Sequence, residues 1–332
     1  MAFMRLRGIV SAGISMLGLA GGLSAPLSAQ ELNLYTYMSV STTPSVKGIA
    51  KMAERIAAET QDRVKIRIHL GGSLQIAVTN ITSAVADGVI QMADDSFIAG
   101  SIPIGDLIRL PMLVRSDEEY AKGMAIMEPY IERAYAKRGI VLLGTYGYPK
   151  QQAFSRKKLA SLDDIKGQKL RVTSPEQAEF VKRFGGTPIT MGTPEVPSAV
   201  DRGVIDGFFT AASGAGYPWK DLIKYEYTIG VNYVNAQIVI GKEALDKLSP
   251  ADQAIVRKIG REAGLENTAT MIREEADYTK KMIDSGMTLV EASAADKAAA
   301  EERMKPYWDE WAKAKGTDAQ EALAKVKAAF GR

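Results

Sequence analysis

Apolar and polar positions alternate with a period of two over residues 31–37, then fall into a 3.6-residue rhythm over 45–60. The first pattern predicts a strand and the second an amphipathic helix. The alternation returns over 64–70, a Gly71-Gly72 turn follows, a further helix is read through 76–87, and Gly88 precedes a strand over 89–93. Strand and helix in regular succession mark a largely parallel α/β sheet. Two stretches 115 residues apart repeat this plan: SAVADGVIQMADD from Ser83 and SAVDRGVIDGFFT from Ser198, identical at six of their first eight positions. Each reads as a helix end, a C-cap glycine (Gly88, Gly203) and a strand. The chain is therefore expected to build two similar lobes. Each delivers residues from a strand's carboxyl end, Asp94 and Asp95 in the first and Phe208, Phe209 and Thr210 in the second. In open α/β sheets ligands sit beyond those ends. Facing strand ends make a cleft.

Lobe one is expected over residues 30–148 plus 236–275 and lobe two over 149–235 plus 276–332, with the ligand cleft between them. The chain should cross in GTYGYPKQQ, residues 144–152, and again near Asn235 inside the apolar run 233–240. Ser249-Pro250-Ala251-Asp252 forms a capping box with proline at the first helical position, and the helical pattern continues to about Asp284. At 1.5 Å per residue that helix is roughly 50 Å long, enough to run across both lobes. A surface helix kinked at Gly260 or Gly264 is the other reading. The Ala/Lys/Glu-rich tail from Ala294 reads as a solvated helix face broken at Pro306.

Composition narrows the chemistry. Residues 1–29 hold Arg5 and Arg7, a small apolar run over 8–23 and a Leu27-Ser28-Ala29 cleavage site before Gln30, the plan of a secretory signal peptide. Serines and glycines interrupt that run, which falls short of the roughly 20 apolar residues a membrane span needs. Losing the two leader arginines takes the formal charge from +3 to +1, which leaves no footprint for nucleic acid. Cysteine is absent and His69 is the single histidine, set in a strand-like alternation. Zinc centres and Ser/His or Cys/His nucleophiles are nearly excluded, no metal or cofactor is implied, and the fold must rest on its own core. The profile is that of an exported binder more than a catalyst.

One cation stands out in KGQKLRVTSPEQ, residues 166–177. Leu170 and Val172 alternate with Lys169 and Arg171, which gives the strand an apolar face and a cationic face. Ser174 reads as an N-cap, Pro175 as the first helical position and Gln177 as the reciprocal capping partner. Arg171 therefore sits near the free amides of a helix N-terminus, and both features favour an anion. Arginine's planar fork grips a carboxylate through two hydrogen bonds, a geometry lysine cannot reproduce. A salt bridge to Asp163, Asp164 or Glu176 accounts for Arg171 about as well at this level.

Residues 163–207, DDIKGQKLRVTSPE…FGGTPITMGTPEVPSAVDRGVIDG, closely resemble the central signature of the solute-binding proteins of tripartite ATP-independent periplasmic (TRAP) transporters. That signature runs K-G-x-K-[IL]-R-[VT], G-x-x-P-x-x-[ML], E-V-x-x-A-[LV] and G-x-[VI]-D-G, matched here at 166–172, 185–191, 195–200 and 203–207. LGGSLQ at 70–75 and RLPMLV at 109–114 look like two further landmarks, so the resemblance covers nearly the whole mature chain. It implies an α/β, two-lobed periplasmic binding protein fold of type II-like organisation, with mixed sheets flanked by helices and a long helix spanning both lobes. It also implies a periplasmic protein that closes around a small organic acid and presents it to small and large membrane permease subunits. The motif arginine, here Arg171, is the family's carboxylate ligand. By the same resemblance Tyr37, Asp94, Ser174, Asn235 and Gln237 fall at positions near the ligand.

Two departures shape the expected ligand. Gln151 stands where some relatives carry a second arginine, which makes a second carboxylate clamp doubtful. Phe208-Phe209-Thr210-Ala211 replaces a polar stretch such as x-E-x-P, exchanging a charge for aromatic surface. Alternation sends the two rings to opposite faces, one to the core and one to the pocket wall. Trp219 is another candidate wall, or else a helix-start residue packed into its lobe. A monocarboxylate with an apolar or aromatic body follows, such as a 2-oxo or 2-hydroxy acid. Two other readings remain open: an exported enzyme with Asp94 or Asp95 as general base beside Arg171, and a ligand-binding receptor for a membrane sensor. A receptor for an ATP-driven importer is disfavoured by the motifs. N-terminal sequencing of the exported protein should begin at Gln30, and an uncleaved chain would contradict the leader assignment.

Overall fold

Where the alternation was read, strands form, and they assemble into two sheets. The computed structural model describes Met1 and residues 30–332, so apart from Met1 the signal peptide expected over 1–29 lies outside the described residues. The strands are β1 (Gln30–Thr36), β2 (Val64–His69), β3 (Met92–Asp95), β4 (Ile140–Tyr148), β5 (Gln152–Ser155), β6 (Lys169–Val172), β7 (Thr187–Thr190), β8 (Gly207–Thr210), β9 (Tyr225–Tyr227), β10 (Val234–Gly241) and β11 (Thr288–Val290). The helices are α1 (Pro44–Glu59), α2 (Ile81–Ala86), α3 (Asp117–Ala136), α4 (Pro175–Arg183), α5 (Val196–Asp201), α6 (Lys242–Asp246), α7 (Pro250–Asp284), α8 (Ala294–Lys315) and α9 (Thr317–Ala329). One sheet has the order β2-β1-β3-β10-β4 and the other β11-β9-β5-β8-β6-β7. Each sheet with its helices is called a lobe below. Both sheets are mixed: β10 runs antiparallel to β3 and β4 in the first, and β5 runs antiparallel to β8 and β9 in the second.

The repeated stretches occupy equivalent places. Helices α2 and α5 are six residues each, and β3 and β8 follow them at the same offsets from Ser83 and Ser198. Gly88 (φ 71°) and Gly203 (φ 67°) turn the chain between helix and strand in the left-handed region, which glycine enters without the clash a β-carbon brings. Strand β3 begins later than the sequence reading placed it, because Val89 is exposed in the turn. Asp94 and Asp95 consequently lie inside the ladder, not beyond it.

Ser249 caps α7, its Oγ accepting the Asp252 N–H at 3.1 Å, and the helix continues unbroken for 35 residues. Its glycines serve contact, not a kink. A β-carbon on Gly144 would stand 2.3 Å from the Gly260 carbonyl oxygen, and one on Gly264 would stand 2.6 Å from that of Thr145. Helix α7 thus lies backbone against backbone on β4. Its far half reaches the second lobe, where the Glu275 carboxylate accepts the N–H groups of Ala212 (2.8 Å) and Ser213 (2.7 Å). Helix α8 bridges the lobes as well: Trp308 Nε1 donates to the Pro111 carbonyl and Trp311 Nε1 to Glu176 Oε1, both at 2.8 Å. Pro306 does not break α8, since burial of Met304, Trp308 and Trp311 holds the turns on either side.

The chain passes between the sheets at 149–151 and returns at 228–233. The two segments bond to each other, Gln151 N–H to Asn232 O at 2.8 Å and Val231 N–H to Gln151 O at 2.9 Å. The return lies ahead of the expected point, because Asn235 already pairs with Gly147 in the first sheet. Gly144→Ala should lower stability by on the order of 1–3 kcal/mol by forcing α7 off β4. The check is a lower urea midpoint at unchanged slope, and an unchanged midpoint would show that the contact yields freely.

Candidate functional site

The carboxyl ends of β1, β3, β6 and β8 converge on one cleft. Tyr37, Met38, Ser96, Phe97 and Tyr148 wall it from the first lobe, and Arg171, Thr173, Thr193, Thr210, Ala215 and Trp219 from the second. Gln151 and Val234 close it beside the crossing segments. The space between these walls is narrow and opens to solvent.

Arg171 is 3% exposed. Strand register sets it beside Ile189 of β7 and Phe208 of β8, and its Nε donates to the Met191 carbonyl at 3.1 Å. Among the described residues this is its one hydrogen bond, and no carboxylate pairs with it. The acids near it in sequence are engaged elsewhere or turned to solvent. Asp164 accepts the N–H groups of Ala160 (2.7 Å) and Ser161 (3.0 Å), Glu176 accepts from the Trp311 indole, and Asp163 is exposed. Helix α4 offers less to an anion than its sequence promised. Pro175 has no N–H, the Gln177 N–H goes to Ser174 Oγ (3.3 Å), and the Thr173 N–H goes to Gln177 Oε1 (2.8 Å).

A second buried arginine shows the contrast. Arg109 donates from Nε to Asn235 Oδ1 (2.7 Å) and from Nη2 to Ser96 Oγ (3.2 Å) and the Asn235 carbonyl, with Asp106 Oδ1 3.3 Å from Nε. The fold uses one guanidinium internally and leaves the other facing the cleft. Burial lowers Arg171 to about 10, with Tyr37 and Glu195 opposing the shift, so it stays charged at neutral pH. A buried cation without a counter-charge is costly, and an anion in the cleft relieves that cost.

Hydroxyls underlie the opposite wall. The Tyr37 hydroxyl donates to that of Tyr148. Below them Tyr146 donates to Asp94 Oδ1 (2.8 Å) and Thr36 Oγ1 to Asp94 Oδ2 (2.6 Å). Asp94 is fully buried beneath the floor. Burial raises its carboxyl to about 7, the hydrogen bonds from Thr36 and Tyr146 pull it down, and the neighbouring Asp95 pushes it up. Burial also lifts Asp95, to about 6, against hydrogen bonds from Thr82 and Tyr135. Neither carboxylate lines the cleft.

Tyr37, Gln151, Arg171, Thr210 and Trp219 are thus brought together, whereas Asp94, Ser174, Phe208, Phe209 and Asn235 are not on the cleft surface. Ser174 Oγ is occupied as the helix cap. Phe208 and Phe209 do take opposite faces, but both are wholly buried, Phe209 edge-on to Phe180 (6.1 Å) and Phe208 between Phe154 (5.9 Å) and Trp219 (5.1 Å). Phe208 acts on the cleft only by backing Trp219. Asn235 is engaged by Arg109 and by the Gly105 carbonyl, and Gln237 lies buried in the first sheet beside Asp95 and Thr145. Ser96, Phe97, Thr173, Thr193, Ala215, Tyr148, Met38 and Val234 were missed. Several follow a strand end directly, as Met38, Ser96, Phe97 and Thr173 do, and the point where alternation stops would have located them.

Larger hollows lie on the surface, between α3 and α7 and between α1 and α7. Lys51 (2.8 Å) and Arg55 (3.1 Å) pair with Glu266 and Arg261 (3.7 Å) with Glu128, while Lys47 is exposed to solvent. Neither poses the problem that Arg171 poses.

The buried acids predict a pH dependence. A carboxyl whose folded pKa exceeds its unfolded value stabilises the protein while protonated, and that contribution is lost as pH rises through the folded value. With Asp95 near 6 and Asp94 near 7, the loss extends from the ordinary carboxylate range up to about pH 7. Asp94→Asn should flatten the fall in thermal midpoint between pH 5 and pH 8, and identical slopes in parent and variant would contradict this assignment.

Comparison with known proteins agrees with this architecture. The family model for bacterial extracellular solute-binding proteins, family 7 (DctP), matches residues 36–314. A solute-binding protein of Sulfitobacter sp. (strain NAS-14.1) is 27% identical over 281 residues, covering 80% of this chain and 82% of that one. The ectoine/5-hydroxyectoine-binding periplasmic protein UehA of Ruegeria pomeroyi is 25% identical over 273 residues, 78% of each chain. The crystal structure of a Bordetella pertussis extracytoplasmic solute receptor binding pyroglutamic acid superposes with a TM-score of 0.85 at 25% identity, covering 90% of this chain and 100% of that one. With both lobes and the cleft inside these matches, the chain belongs to the DctP family of extracellular solute-binding proteins, the solute receptors of TRAP transporters.

Proposed function

We propose that this receptor binds a small monocarboxylate in the periplasm and delivers it to the small and large membrane subunits of a TRAP permease. One observation carries the reading: the buried guanidinium of Arg171 has a single hydrogen bond, to Met191 O, and no acid partner. One unanswered cation in a cleft without a lining carboxylate matches one negative charge. It favours a ligand without a free ammonium group, since no acid lines the cleft to pair with one. Trp219, Phe97, Met38 and Val234 supply apolar surface for the ligand body, while Gln151, Thr173, Thr193 and the Tyr37 and Tyr148 hydroxyls supply neutral hydrogen-bonding groups. A compact oxo, hydroxy or lactam acid satisfies both sets. Pyroglutamic acid, bound by the Bordetella pertussis receptor, is a molecule of this kind.

A general-base role for Asp94 or Asp95 gains no support, because both carboxylates are held by hydroxyl donors away from the cleft. Binding should close the lobes about the crossing segments, since a ligand touching both walls favours the closed population.

In a thermal-shift screen of organic acids, cyclic, aromatic or branched monocarboxylates should give the largest shifts. Preference for a dicarboxylate or a sugar acid over all of these would sink the reading. Arg171→Lys should weaken the best ligand on the order of 10- to 100-fold by calorimetry with the fold intact, and an unchanged affinity would remove Arg171 from the role of anchor.

A further inference from the structure

Asn232 lies in the returning crossing segment and is 1% exposed. Its side-chain amide is bonded at both ends: Oδ1 accepts from Gln177 Nε2 at 3.0 Å, and Nδ2 donates to the Arg109 carbonyl at 2.9 Å. Each partner leads to a cleft wall. In the second lobe, Gln177 Oε1 accepts both the N–H (2.8 Å) and the hydroxyl (3.0 Å) of Thr173, which lines the cleft close to Arg171. In the first lobe, Arg109 Nη2 donates at 3.2 Å to the Oγ of Ser96, which lines the opposite wall. The Asn232 backbone adds the other crossing segment, its carbonyl accepting the Gln151 N–H at 2.8 Å. One residue therefore joins two lobes and two connections.

We propose that Asn232 is the positioning residue of the cleft, holding its walls in the arrangement that lets one ligand touch both. This rests on the acid-binding reading above and extends it to a residue that lines no part of the cleft. Bond direction makes the linkage specific. The Arg109 carbonyl can only accept, and Gln177 turns its donor Nε2 toward Asn232 because its Oε1 is held by Thr173. Turning either amide over sets like against like, so one arrangement satisfies every group. Gln177 rides on α4 of the second lobe while the chain from Val234 onward is strand in the first. Separation of the lobes therefore strains the path Gln177–Asn232–Arg109, at one of its two side-chain bonds or the other.

The chain has no cysteine, so a spin-label pair can be introduced cleanly through Asp87→Cys and Arg202→Cys, equivalent exposed sites on the two lobes. Asn232→Leu should move the ligand-free label distance away from that of the parent. It should also weaken pyroglutamate, used as the probe acid, on the order of tenfold, chiefly through faster dissociation. Gln177→Met should do the same, and the two losses should be well short of additive, since both cut one linkage. An unchanged label distance in folded Asn232→Leu, or fully additive losses, would overturn the proposal. If Asn232→Leu does not fold, the label distance in Gln177→Met decides. Should pyroglutamate fail to bind the parent chain, the acid-binding reading is what suffers, and the ligand-free distances still judge Asn232 alone.

Discussion

Taking a guanidinium out of water without a counter-charge is among the costlier things a fold can do, and the second lobe does it at Arg171. The surrounding strands make the arrangement tolerable. Strand β6 fixes the backbone, the Met191 carbonyl fixes Nε, and burial lowers the proton affinity without removing the charge at neutral pH. Nothing in the described residues completes the pairing. On the proposed reading, a solute carboxylate supplies the missing half of that ion pair.

Such a site works only if its walls arrive together. Helix α7 is pressed onto β4 through glycines that leave no room for a β-carbon, while Glu275 near its other end gathers the amides that follow β8. The lobes are thus joined by the two short segments bonded to each other at Gln151, Val231 and Asn232, and also by α7 and α8, which any opening has to accommodate. Two bodies joined by short segments and shared helices favour a hinge. Ligand binding then needs only modest differential contact energy to shift the population.

Much of this architecture was legible in the chain. The duplicated stretches announced two lobes because a helix end, a left-handed glycine and a short strand leave a local imprint. The cap at Ser249 announced the long helix for the same reason. Arg171 was singled out because a strand's period exposes which face a cation takes, but that left a salt bridge as good an account, and the family resemblance is what favoured a ligand. What failed was depth. Asp94, Phe208, Phe209 and Asn235 all occupy strand positions, and alternation cannot say whether a strand face meets the cleft, another helix or a buried polar cluster. Pro306 failed differently, since a helix anchored by two tryptophans tolerates a proline that propensity alone forbids.

Those tryptophans carry one more consequence. The chain has three. Trp219 forms a cleft wall, Trp308 bonds to Pro111 of the first lobe, and Trp311 bonds to Glu176 of the second. Every indole chromophore therefore sits at the mouth or along the seam, where polarity and quenching change whenever the halves part. The molecule carries its own optical gauge of opening, readable from its native emission with no dye attached.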